Sequence, residues 1–60
     1  MKSNTMKRSA LIRKLNKGGW KVIHGMAIHR NHPGIRIPVP HGSKIDYWTA
    51  MGILKDAGLA

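Results

Sequence analysis

Ile35-Arg36-Ile37-Pro38-Val39-Pro40-His41-Gly42 sets Ile35, Ile37 and Val39 in alternation with Arg36 and Pro38. That is the period of a strand with one face buried and one face wet. Its prolines cannot donate ladder hydrogen bonds, so the stretch reads as an edge strand or the last part of one. Helical patterns lie on either side. In a chain of 60 residues, a short sheet flanked by two helices is nearly all that can be built.

Upstream, Ser9 is placed to cap a helix over Ala10-Leu11-Ile12-Arg13-Lys14-Leu15-Asn16-Lys17. Leu11, Ile12 and Leu15 share one face and are read as core. Lys14 and Lys17 suit the negative end of the helix dipole. Gly18-Gly19 stops the helix, and Met1 to Thr5 reads as a frayed polar end. Trp20 to His24 reads as a first strand, Gly25 as a turn, and Met26 to Arg30 as a second strand. Asn31-His32-Pro33-Gly34 has turn chemistry, and Ile35 to Val39 forms the third strand. The short connections favour an antiparallel meander.

Downstream, His41 to Ile45 reads as a loop and Asp46 as the N-cap of a second helix. Ala50, Ile53, Leu54 and Ala57 supply its apolar face. Gly58 ends it, and Leu59 is placed for the hydrophobic contact that follows a glycine cap. The expected order is α-β-β-β-α in a single domain over residues 1–60. This is an α+β fold: a three-stranded antiparallel sheet with two helices on one face. Trp20, directly after the Gly-Gly stop, is read as core. Tyr47 and Trp48 are read as partly exposed, for stacking on bases or for docking a protein partner.

Charge bounds the function. Eleven Lys and Arg oppose two acids, Asp46 and Asp56, for a formal +9. Such a field attracts polyanions, nucleic acid first among them. With no cysteine, there is no disulfide and no Cys-type zinc site, and a reducing compartment is allowed. No apolar run approaches the ~20 residues that span a bilayer, and the basic start lacks the apolar segment of a secretory signal. No membrane role and a cytoplasmic location are expected.

No phosphate-binding glycine loop and no HExxH pattern is present, and a catalytic carboxylate pair would require both acids of the chain. That leaves His24, His29, His32 and His41. A histidine within reach of a ribose 2′-hydroxyl can take its proton, with a lysine or arginine stabilising the developing phosphorane charge. RNA carries its own nucleophile, so such a site needs neither metal nor other cofactor. Each histidine also has a plainer reading. His32 precedes Pro33 in a turn; His24 and His41 cap turns or are simply solvated; His29 is a satisfied core histidine if its face points inward. Lys21, Arg30 and Arg36, on neighbouring strands, are candidates for phosphate contacts.

Ser9 to Leu15, the following Gly18-Gly19-Trp20, the His32-Pro33 turn, Ile37-Pro38-Val39-Pro40-His41 and the closing Ile53 to Leu59 together resemble the HicA family of small bacterial and archaeal toxins. The resemblance covers Ser9 to Leu59. It implies a fold like a double-stranded RNA-binding domain and a metal-independent mRNA interferase that cuts with a single histidine. It also implies a HicB-like antitoxin that covers that histidine. The family usually has a glycine, one or two residues, then the catalytic histidine. Here Gly25 is followed by Met26-Ala27-Ile28. Aligned without a gap, Ala27 takes the catalytic position. Aligned so that Met26 to His29 continues the strand, a few residues are missing after Gly25. His24 and His29 are the nearby substitutes. Two other readings stay open: a non-catalytic RNA-binding module, and a basic interaction protein that holds an acidic partner.

Overall fold

The computed structural model describes residues 4–60. Seven elements follow one another: β1 (Thr5–Lys7), α1 (Arg8–Lys17), β2 (Trp20–Ile23), β3 (Met26–His29), β4 (His32–Pro38), β5 (Lys44–Asp46) and α2 (Tyr47–Asp56). β2, β3 and β4 form the expected antiparallel meander, in that order, so β4 is an edge strand. β1 and β5 add a small antiparallel pair, Thr5 against Asp46 and Lys7 against Lys44. The expected α-β-β-β-α order is therefore extended by two three-residue strands. β1 starts at Thr5, the last residue of the expected frayed end, and β5 takes in Lys44 and Ile45, the last two residues of the expected loop.

One core joins the layers. Leu11 and Leu15 of α1, Trp20, Ala27, Ile37 and Val39 of the sheet side, Ile45 of β5, and Ala50, Ile53 and Leu54 of α2 form a single buried cluster. Both helices thus seal the same face of the meander. Ile12 is not part of that cluster. It is half-buried and lines a recess with Arg8, Gly42 and Ser43.

The helix ends follow local chemistry with one exception. Asp46 caps α2, its carboxylate accepting from the amides of Trp48 (3.1 Å) and Thr49 (3.2 Å). At the other end, the Gly58 amide donates to the Lys55 carbonyl and the Leu59 amide to that of Leu54. These are the paired bonds of a Schellman cap. Ser9, by contrast, does not cap α1. It lies inside the helix, the N-cap is Lys7, and no side chain caps it. The backbone does that work: the Arg8 amide donates to the Ser43 carbonyl at 2.9 Å, and β1 is already paired to β5.

The two turns of the meander differ. His24 and Gly25, at φ 52° and 74°, both take the positive values of a type I′ hairpin turn. The second turn is Arg30-Asn31, because His29 pairs with His32. Arg30 therefore sits in a turn and not on the strand, and β4 begins at His32, earlier than the expected Ile35. β4 is also irregular. Ala27 pairs with Ile37 and His29 with His32, so the four residues Pro33 to Arg36 stand against Ile28 alone. This bulge breaks the alternation. Ile35 consequently leaves the core and is 44% exposed, whereas Ile37 and Val39 stay buried.

Candidate nucleic-acid interface

The meander presents two faces. Trp20, Val22, Ala27 and Ile37 point toward the helices. Lys21 lies opposite Ile28 on the other face. Around Ile28 runs an open groove of about 620 Å³, lined by Gly19, Lys21, His29, Arg30, Pro33 and Arg36 as well. A volume in this range accepts a nucleotide-sized ligand. The bulge is what assembles it: by carrying surplus residues past Ile28, β4 brings Arg36 and Pro33 alongside β3, while the Arg30-Asn31 turn brings Arg30. The three expected phosphate-binding cations are thereby collected on one surface around an apolar centre.

Of the four histidines, His29 alone lines this groove among the described residues, and its ring is already engaged. The Asn31 amide donates to Nδ1 at 3.0 Å. That contact leaves Nε2 as the protonated nitrogen, and it donates to the Gly18 carbonyl at 3.0 Å. The ring meets Trp20 edge-on at 5.0 Å and tilts on His32 at 5.0 Å. His32 stacks over Trp20, 13° from parallel, and the indole N–H of Trp20 donates to the Ala57 carbonyl at 3.2 Å. His29 is thus the centre of a clamp that joins the end of α1, the start of β2, the second turn and the end of α2. Gly19 belongs to the same clamp: it sits at φ +90°, and a Cβ there would lie 2.6 Å from His29 Nε2. With both nitrogens committed, His29 has the geometry of a structural histidine.

The other candidates are dispersed. His24 is exposed in the first turn, at the opposite end of the hairpin. His41, named only as a turn residue from sequence, has its ring against Gly25: a Cβ on that glycine would be 3.3 Å from His41 Nε2. The Val39 amide donates to the Gly25 carbonyl at 2.8 Å, which holds the two segments together. Ala27 is 0% exposed, facing the core between Val22 and Ile37. Ile28, its neighbour, is 37% exposed at the centre of the groove. A histidine separated from Gly25 by one residue would therefore enter the core, and one separated from it by two residues would enter the groove.

Among the described residues, no three or more His, Cys, Asp or Glu side chains are grouped to hold a metal, and no helix is long and apolar enough to cross a membrane. Comparison of the chain with protein-family models, with curated proteins and with solved structures gives no match.

Proposed function

We propose that this chain is a HicA-like protein of a toxin–antitoxin pair that binds mRNA in the groove around Ile28. The fold is read as similar to a double-stranded RNA-binding domain, and a HicB-like antitoxin is the partner that covers the groove. The observation that carries the reading is the convergence of Lys21, Arg30 and Arg36 on one face of a chain with a formal charge of +9. Three cations around an apolar floor suit a phosphate backbone that passes over the sheet.

Cleavage in this family type needs an imidazole free to take the 2′-hydroxyl proton. The groove supplies cations for the phosphorane but no such imidazole, since His29 has both nitrogens engaged. The chain is therefore a binder whose cutting position is filled by an apolar residue.

The test is a labelled mRNA incubated with purified protein in EDTA, with binding and strand scission read together. The parent is expected to bind without cutting, and Ile28→His, which sets an imidazole among the three cations, to cut. Cutting by the parent that disappears in His24→Ala or His41→Ala would move the active site to the first turn. Failure of the parent to bind RNA would overturn the reading.

A further inference from the structure

The helix layer carries a second surface that RNA binding at the sheet does not use. One recess between α1 and α2 has Met6, Tyr47 and Leu59 on its walls and Lys14 and Lys17 on its rim. A second recess, beside α2, is lined by Trp48, Gly52 and Lys55. Met51 and Ala60 line both, so the two are continuous. Trp48 is 75% exposed and Leu59 and Tyr47 are exposed as well. The Tyr47 and Trp48 rings meet edge to face at 5.5 Å, which holds the indole outward. Contiguous apolar surface with a polar rim is the anatomy of a protein-binding site, and tryptophan and tyrosine are enriched among the residues that anchor such sites.

We infer that this surface docks an acidic amphipathic segment of a partner protein. Charge selects the occupant. Lys14, Lys17 and Lys55 border the apolar floor, and no acidic side chain lines either recess among the described residues. A second copy of the chain would set these lysines against their equivalents, with +9 on each partner, and like charges across an interface oppose association. A segment with apolar side chains at helical spacing and Asp or Glu between them fills the floor and meets the rim. Each helix of the layer has ten residues, about 15 Å, a length that a two- to three-turn segment matches. The inference is independent of the RNA reading, because the surface shares no lining residue with the groove around Ile28.

The test selects binders from a random library of roughly 12-residue peptides, about 18 Å long as helices, against the intact protein. Recovered peptides are then titrated while tryptophan emission is followed. Trp20 is buried and Trp48 exposed, so a blue shift reports cover over Trp48. Peptides rich in Asp or Glu with apolar spacing are expected. They should lose about tenfold or more in affinity on Trp48→Ala and lose affinity on Lys14→Glu with Lys17→Glu. Any of four results would overturn the inference: no enrichment; peptides without acidic bias; the same blue shift produced by phosphatidylglycerol–phosphatidylcholine vesicles or by an RNA oligonucleotide; or a dimer in sedimentation of the protein alone.

Discussion

Ala27 and Ile28 are chain neighbours on β3, yet Ala27 is sealed between Val22, Ile37 and the helices, whereas Ile28 opens into a groove ringed by Lys21, Arg30 and Arg36. The inner face is packed and carries stability. The outer face is charged, borders no second layer and is the face proposed above to meet RNA. A single step along a strand exchanges one role for the other. What each position after Gly25 can hold is set by the face it lands on, and a spacing of one or two residues is too coarse to choose between the faces.

The sharpest way to break that comparison is Ala27→His. An imidazole in a fully buried alanine site overfills the core and carries polar nitrogens with it, at about 3 kcal/mol or more. For a 60-residue chain the whole stability is about 3–9 kcal/mol, so urea denaturation should show a protein largely unfolded or with most of its stability lost. A folded, RNA-cleaving Ala27→His protein would reverse the assignment of the two faces. Gly19→Ala comes next. Its methyl meets the His29 ring and its backbone sits at φ +90°, so a loss of about 2 kcal/mol is expected. Loss of near-ultraviolet dichroism from Trp20 should accompany it, as the clamp loosens. Asp46→Ala removes both cap bonds of α2 and should cost about 1 kcal/mol, read as a fall in Tm of about 4–8 °C. Smallest on stability are Lys21→Ala, Arg30→Ala and Arg36→Ala, each expected to change it by no more than about 0.5 kcal/mol while weakening RNA binding.

Much of the coarse fold was legible in sequence, though not which sheet face is exposed. The 3.6-residue spacing of Ala50, Ile53, Leu54 and Ala57, the Asp46 cap and the Gly58-Leu59 ending each rest on local chemistry, and each is found. Trp20 and the three-strand meander are found for the same reason. What stayed hidden depends on distant or irregular pairing. β1 and β5 have three residues each and one inward apolar residue apiece, Met6 and Ile45, too few to show a period, and their partners lie about forty residues apart. Ser9 has a capping side chain, but the pairing of β1 moved the helix start to Arg8. Ile35 continues a clean alternation in sequence and still leaves the core, because four residues bulge past Ile28. The groove itself is a product of that bulge: Lys21, Arg30 and Arg36 are visible as residue types, while their convergence depends on a register that no local pattern encodes. The two bonds of His29 require Gly18 and Asn31 to meet it from different elements.

The central claim is that the cations around Ile28 hold the RNA backbone. It is tested most directly by measuring RNA affinity against salt concentration for the parent and for the combined Lys21→Ala, Arg30→Ala, Arg36→Ala protein. The parent should show a steep fall of log K with log salt, and the triple variant a weaker affinity with a slope shallower by about 2–3. Equal slopes and equal affinities in a folded variant would contradict the account and place the RNA elsewhere on the molecule.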